Sequence, residues 1–462
     1  MTDDGQIKHL LEQARQFTAR GQDTAAKKAY LDVLRCNPSH FAALNELGAL
    51  AYGSGHRSAA RTAYEQAVRF HPHNPMGHVN LGNLLCENGD LPAARAHFEA
   101  ALASDATLAQ AHQGLAHVLA ELGEYAIAAR HWQEGFAGHA TVTQRYRGTT
   151  SPVPILLMVS AKGGNIPTQP FLDDKVFAIT ALYTEFYDPL QPLPPHVLVF
   201  NAIGDADLCA EGLTRADEVL KRTALPVINP PAQVRATSRA ANARRLGRLP
   251  GVRAPQIRPM TRSSLLSAQG LIFPLLIRAP GFHTGRHFLR VEKPERLSSA
   301  IAALPGDELL LIEYLDARGP DGMVRKYRVM IIDGVLYPLH LAISTDWKVH
   351  YFTSNMGNDD PTYRREEQRF LEDAETVLGP QAMSSLAHIG QCLGLDYAGI
   401  DFGLDMNGSV LLFEANPTMV INQPGPEAIW DYRRPPIDRV LTAAKHMVLA
   451  KAPAPKSSSP AR

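Results

Sequence analysis

Cysteine is scarce in this sequence, with Cys36, Cys86, Cys209 and Cys392 the only four in 462 residues. None stands in a Cys-x-x-Cys or Cys/His spacing, which speaks against a zinc site or a disulfide framework and predicts a reducing compartment. Net charge is missing as well: Lys+Arg and Asp+Glu both total 46, so the basic excess of a nucleic-acid protein is not there. No apolar run approaches the roughly 18 residues that a membrane span needs. The opening segment MTDDGQIKHLLEQ is acidic and has no apolar core, which predicts no secretory leader. Together these lacks predict a cytoplasmic protein with neither nucleic acid nor membrane as partner. What remains is 45% hydrophobic and 20% charged, ordinary for a globular chain, and long enough for two or three domains. One local basic run, Arg235, Arg239, Arg244, Arg245 and Arg248, stands out from this neutral background.

The first third repeats. Gly21, Gly55, Gly89 and Gly123 are each 34 residues apart, as are Ala26, Ala60, Ala94 and Ala128, and the aromatics Tyr30, Tyr64, Phe98 and Trp132. Leu47-Gly48 recurs as Leu81-Gly82, then less well as Leu115-Ala116, and Pro38 and Pro72 close the first two units. Two antiparallel helices need a tight turn, which glycine permits by tolerating positive φ. The alanines suit a close helix crossing and the aromatic fills the gap to the next pair, so each unit leaves an apolar face that only a neighbour covers. The pattern resembles tetratricopeptide repeats, at about 7–40, 41–74, 75–108 and 109–142, an all-α solenoid. The resemblance implies a groove that docks a protein or peptide; a dimerisation or spacer arm is the alternative. His71, His73, His78, His97, His112, His117 and His131 follow the repeat, which predicts surface or helix-packing histidines rather than metal ligands.

Residues 143–152 lose the helical pattern and carry turn residues, the expected linker. Beyond it the chain reads as α/β. Strands are expected at Val153–Ser160, within His196–Asp207 and within Leu225–Pro231, and helices at Lys175–Phe186 and Leu208–Thr223, an alternation that implies a parallel sheet with ligands at the strands' C-terminal ends. The loops Ala161–Asn165 and Ile203–Asp207 are therefore candidate binding loops. Further on, FPLLIRAPGFHTGRHFLRVE places a strand carrying Arg278 before a Gly/His/Thr loop whose N–H groups could cradle phosphate. DELLLIEYLD is an apolar strand ending in Glu313, Tyr314 and Leu315. VRKYRVMIIDGVLYPLHLAIS gives two antiparallel strands joined at Asp333-Gly334, a strong hairpin turn, and a helical run spans Glu366–Leu378. The tail 451–462 is Pro/Ser-rich and predicts disorder.

In DFGLDMNGSVLLFEANP the expected strands are Tyr397–Leu404 and Val410–Ala415, with Asp405–Gly408 as the turn. Asp401 and Glu414 then fall near each other across the ladder. Two adjacent carboxylates repel unless a cation lies between them. With Asn416 they make an oxygen set that suits Mg²⁺, commonly shared with substrate phosphates; solvated surface acids are the alternative. On that reading the empty site is strained by like charge, so neutralising one acid should keep or raise the melting temperature.

Residues of about 153–430 resemble the ATP-grasp superfamily, of the glutathione synthetase and ribosomal-protein glutamate ligase type. The motifs stand in order: VINPP, FPLLIRAPGFHTG, LLLIEYLD, RKYRVMIIDGVLYP and the D…E-x-N-P signature. The resemblance implies an α/β domain over 153–235 ahead of an α+β ATP-grasp fold over 236–450. It implies ATP and Mg²⁺, with Mn²⁺ as a possible substitute, held at Asp401, Glu414 and Asn416. It puts Arg278 in the place of a phosphate-binding lysine, Arg239 near another, Glu313, Tyr314 and Leu315 at the adenine hinge, and Arg328 at the phosphate and acyl-phosphate end. Two lysines have become arginines, a planar fork for a point charge, and Lys326 stands where related ligases carry an acid. PLHLAISTDWKVHYFTSNM departs from the general pattern and brings His340, Lys348 and His350 to the substrate end. Alternation in WKVHYF puts Lys348 and His350 on one face, which makes them candidates for the general base. The implied reaction is carboxylate–amine ligation through an acyl phosphate on a small molecule, peptide or protein. A phosphotransferase and a nucleotide-binding scaffold are the alternatives, since fold does not fix function.

Overall fold

The structure is a computed structural model that describes residues 3–282, 285–349, 354–357 and 361–453. The chain forms two compact units, Met1–Ser151 with Phe186–Asp188, and Pro152–Glu185 with Pro189–Arg462.

The first unit contains eight helices in four antiparallel pairs: Asp3–Ala19 with Asp23–Cys36, Phe41–Gly53 with Arg57–Phe70, Pro75–Glu87 with Leu91–Ser104, and Ala109–Glu121 with Tyr125–Phe136. The four repeat glycines carry φ of 65°, 79°, 78° and 85° at the turns, the left-handed region where a Cβ is penalised. Ala26, Ala60, Ala94 and Ala128 are fully buried, and Tyr30, Tyr64, Phe98 and Trp132 are buried beside them. The Leu-Gly pairs have a packing cause. A Cβ on Gly48 would lie 2.4 Å from the Tyr64 ring, and one on Gly82 3.0 Å from Phe98.

In the second unit a parallel ladder runs in the order Phe177–Tyr183, Val153–Val159, Leu198–Asn201, Val227–Ile228. Its first member corrects the helix expected at Lys175–Phe186. The segment is a strand whose residues are nearly all apolar, and a strand covered on both faces looks like a buried helix in sequence. The helix expected after it, at Leu208–Thr223, is found as Ala210–Leu220. An antiparallel sheet has the order Ile257–Thr261, Glu308–Glu313, Leu275–Arg278, Phe288–Val291. The third, mixed sheet has the order Val335–Ser344, Val324–Ile332, Tyr397–Leu404, Val410–Asn416, with Val252–Arg253 parallel at its edge. Asp333 and Gly334 turn its hairpin with φ of 51° and 81°, the two positive values of the tight turn that the dipeptide predicts. The expected helix over 366–378 is instead two helices, Thr362–Glu372 and Ala374–Leu393. Asp373 separates them and caps the second by accepting from Thr376 N at 3.0 Å, the usual N-cap role of aspartate. The last helix reaches Lys451, and the tail expectation from 454 onward lies outside the described residues.

Asn229, in the left-handed region at φ 52°, fastens the parallel sheet to the mixed one. Its Oδ1 accepts from the N–H groups of Asp396 and Tyr397, both at 2.9 Å, and its Nδ2 donates to Tyr397 O at 2.8 Å. All three bonds are buried or nearly so, where an unpaired amide would be costly.

A second polar fastening is fully enclosed. Glu367 is 0% exposed and accepts from Arg433 Nε at 2.9 Å and Nη2 at 2.6 Å, from Leu341 N at 3.2 Å and from the Tyr432 hydroxyl. Removing one partner of such a pair strands the other charge away from water. Glu367→Ala should therefore destabilise the second unit by about 3–5 kcal/mol, read as a lowered denaturant midpoint of the full chain; a change within experimental error would show that the pair is relaxed by water.

Candidate functional site

The mixed sheet lines up four ionisable side chains in one row. His340 pairs with Arg328, Arg328 with Asp401, and Asp401 with Glu414, each directly opposite across adjacent strands. Residues directly opposite share a face, so the row is presented as a unit. Two β-bulges adjoin it, one between Pro338 and His340 and one between Leu412 and Glu414, leaving Leu339 and Phe413 as the extra residues. Bulges re-aim side chains and are common beside active sites.

Within the row Asp401 is buried. Its carboxylate accepts from Arg328 Nε at 2.5 Å and Nη2 at 2.8 Å, and from Lys326 Nζ at 3.1 Å. Burial by itself would raise the Asp401 pKa, but the charges of Arg328 and then Lys326 outweigh it and hold the group well below the carboxylate range. Glu414 accepts from Arg239 Nη2 at 2.5 Å and from Asn416 Nδ2 at 2.9 Å. Burial raises its pKa too, and Arg239 and Arg278 together bring it below the ordinary glutamate value. Both acids are thus ionised at neutral pH, and the cations beside them are the protein's own. The repulsion between the two acids is therefore outweighed by these cations. His340 is driven well below the ordinary histidine value by burial and then by the Arg328 charge, so its imidazole is neutral.

Around this row lies a cavity of about 790 Å³. Arg239, Arg278, Lys326, Arg328, Lys348 and Arg433 line it against the acids Glu313, Asp401 and Glu414, a cationic excess that favours an anionic ligand. Arg278 donates to the Phe282 carbonyl, and its guanidinium lies 5.6 Å from the centre of the Phe288 ring. Burial, then the neighbouring Arg239 charge, lowers it to about 10. Glu313 ends its strand with Oε1 held by Arg253 Nη2 at 2.9 Å, and its backbone N–H donates to Gln256 O at 2.9 Å. Tyr314 carries the Arg290 guanidinium 4.3 Å over its ring, and Leu315 is buried. All three line the cavity, as do Gly164 and Asn165 from the first candidate binding loop.

The structure thus gathers Arg239, Arg278, Glu313, Tyr314, Leu315, Arg328, Lys348, Asp401 and Glu414 around one space. Asn416 is set apart. Its Nδ2 faces Glu414, while its Oδ1 accepts from Thr418 N at 3.0 Å and Oγ1 at 2.8 Å, so here it orients Glu414. Lys348 is exposed and reaches Gly285 O at 3.3 Å. His350 and His283 lie outside the described residues. Sequence reasoning did not find the Glu367–Arg433 pair. Arg433 has no motif of its own, and its partner lies 66 residues away.

Residues 46–109 match the tetratricopeptide repeat family. Tetratricopeptide repeats make up the N-terminal region, and such repeats generally bind protein partners. No curated protein matches the chain. Among solved structures, residues 41 to the end of MamA from Desulfovibrio magneticus are 20% identical, covering 28% of this chain and 74% of that one, with a TM-score of 0.26. A tetratricopeptide repeat protein from Parabacteroides merdae is 20% identical, covering 29% and 53%, with a TM-score of 0.27. A mutant O-GlcNAc transferase of Thermobaculum terrenum is 17% identical, covering 52% and 50%, with a TM-score of 0.31. Among the described residues no helix is long and apolar enough to cross a membrane.

The Arg328–Asp401–Lys326 cluster reverses one expectation. Asp401→Asn leaves two half-buried cations without their carboxylate and should cost about 3–5 kcal/mol, lowering the melting temperature rather than raising it. The sign with pH follows from the depressed pKa. The Asp401 contribution is fully present above the ordinary aspartate value and fades as pH falls below it, so the asparagine variant should lose part of the wild-type acid sensitivity. An unchanged melting temperature in Asp401→Asn would show that the pair contributes nothing net.

Proposed function

We propose that the second unit is an ATP-grasp-type nucleotide site and that the protein is an ATP- and Mg²⁺-dependent carboxylate–amine ligase, its repeats docking a protein or peptide. The observation that carries this reading is the cationic cavity faced by two ionised carboxylates standing directly opposite each other. The donor set fits a hard divalent ion. Asp401 and Glu414 would supply anionic oxygens from one face, Asn416 is the third group that the resemblance implies, and Mg²⁺ prefers oxygen ligands shared with phosphate. Such an ion supplies charge neutralisation at phosphate oxygens.

The chain's own residues then divide the work. Arg278 and Arg239 bring positive charge to the phosphates, as preorganised donors do best in a site shielded from water. The Glu313 carbonyl and the backbone at Tyr314 and Leu315 are the proposed hydrogen-bonding edge for a base. Arg328 and Lys326, already grouped on Asp401, stand where a substrate carboxylate would be oriented. In the reaction a carboxylate oxygen attacks the γ-phosphorus and ADP leaves. An amine then attacks the acyl carbon, phosphate leaves, and the amine proton passes to a base. Lys348 and His350 are the proposed groups for that proton, with neutral His340 a further imidazole beside Arg328.

Two measurements test this. ADP release by the full-length protein should need Mg²⁺, a carboxylate and an amine together; release with a hydroxyl acceptor alone would favour a phosphotransferase, and none with any acceptor a nucleotide-binding scaffold. Arg278→Ala should weaken ATP binding by the worth of a charged hydrogen bond, about 1.5–3 kcal/mol or roughly ten- to a hundredfold. Arg278→Lys should rescue part of it, more at mildly acidic than at mildly alkaline pH, because burial there lowers a lysine further. Unchanged ATP affinity in Arg278→Ala would remove Arg278 from the site.

A further inference from the structure

The fourth repeat holds a cluster that the nucleotide site does not use. His112 lies on the helix Ala109–Glu121, and His131 and Glu134 lie one turn apart on its partner Tyr125–Phe136. His112 Nδ1 is 2.8 Å from His131 Nδ1 and 3.0 Å from Glu134 Oε2, and the third edge, His131 Nδ1 to Glu134 Oε2, is 3.9 Å. His112 Nε2 lies 2.9 Å from the Ala106 carbonyl. A carbonyl only accepts, so Nε2 carries a proton, and with the ring in its neutral form Nδ1 presents a bare lone pair. That lone pair faces a carboxylate oxygen and a second imidazole. In that form three electron-rich atoms converge, an arrangement that a cation at their centre would satisfy.

The preceding repeat supplies an internal comparison. His78 and His97 stand 34 residues before His112 and His131, with Nδ1 atoms 2.9 Å apart and His78 Nε2 2.9 Å from Pro72 O. There the position matching Glu134 is Ala100, and an N–H···N hydrogen bond between the rings accounts for the pair. The acid is what distinguishes the fourth repeat.

We propose that His112 Nδ1, His131 Nδ1 and Glu134 Oε2 bind a divalent transition-metal ion of the Zn²⁺ class, pinning the two helices of the fourth repeat together. This replaces, for His112 and His131, the packing role expected from the period alone. Imidazole nitrogen with carboxylate oxygen is a Zn²⁺ donor set, and bonds of about 2.0–2.2 Å in a tetrahedron put ligand atoms roughly 3.3–3.5 Å apart, within the span of the three edges found. The His112 Nε2–H bond to a backbone carbonyl is the outer support that metal-bound histidines usually have. Glu134 is 58% exposed, which leaves an entry path and a fourth position for water.

The test uses tag-free, chelator-treated full-length protein titrated with Zn²⁺ by calorimetry and with Co²⁺ by visible absorption. One Zn²⁺ per chain should bind with a rise in melting temperature, and Co²⁺ should develop a ligand-field spectrum. His131→Ala, and Glu134→Gln as the conservative variant, should each weaken Zn²⁺ about tenfold or more, as expected on losing one of three protein ligands, with helix content kept by circular dichroism. His97→Ala should leave the affinity unchanged. Equal affinity in wild type and the His131→Ala/Glu134→Gln double variant would overturn the proposal. So would a cluster stabilised by acidification but indifferent to Zn²⁺, where a proton takes the ion's place.

Discussion

The buried ion pair between Arg328 and Asp401 sets the terms for the second unit. Taking a carboxylate and a guanidinium out of water is costly, and the attraction between them offsets that cost only where geometry is good and the remaining hydrogen-bond positions are filled. Here the fork of Arg328 meets both Asp401 oxygens and Lys326 adds a third donor. Meeting those conditions fixes the register of the strands that carry the two residues. A slip of one residue would send every side chain of a strand to the other face, separating the pair and dispersing the row from His340 to Glu414. The bulges at Leu339 and Phe413 occur beside this row, where an unbroken alternation would have turned the outer members away. The ionic requirement and the backbone irregularities thus belong to one arrangement.

The sequence was most legible where its information is local. The 34-residue period fixes repeat size, turn glycines and buried alanines, because each depends on residues within one helix pair and its neighbour. The hairpin strand Tyr397–Leu404 matches the expectation to the residue, since the turn signal at Asp405–Gly408 bounds it at one end. Lys175–Phe186 was misread because its run of apolar residues fits a strand covered on both sides as well as a helix, and the deciding fact is parallel pairing with Val153–Val159. The site shows the same limit. The hairpin pairing brings Asp401 and Glu414 near each other, but strict alternation would set Asp401 opposite Phe413. Only the bulge at Phe413 puts Glu414 there, and nothing local says that Arg328, 73 residues away, lies directly beside Asp401. Without that neighbour the two acids look uncompensated, and a metal is the simplest cation to supply. The structure supplies arginine and lysine first, so an ion bound there would share oxygens with them.

The repeats show how a periodic sequence can hide a local departure. His78 and His112, and likewise His97 and His131, obey the period, so all four read as packing residues. Glu134 breaks it, and a search for periodicity passes over such a residue by design. Its significance appears only when helix pairing brings it to the bare nitrogen of His112. The two candidate ion sites therefore differ in donor chemistry. One offers carboxylates among cations, suited to a hard ion that comes with phosphate; the other offers imidazoles and a single carboxylate, suited to a softer ion.

An arginine at residue 278 suits its surroundings. Burial and the nearby Arg239 charge bring the Arg278 guanidinium down to about 10, where it is still fully charged at neutral pH. A lysine begins about two units lower, near 10.4, and its ammonium is more strongly hydrated, so burial penalises it at least as much. The same environment would lower a lysine as well and leave it less reserve of charge above neutral pH. Burial and the Arg239 charge outweigh the opposing pull of Glu414 at this position, and arginine's reserve of basicity keeps the group charged. Arginine at this position therefore keeps a positive charge on the cavity at neutral pH.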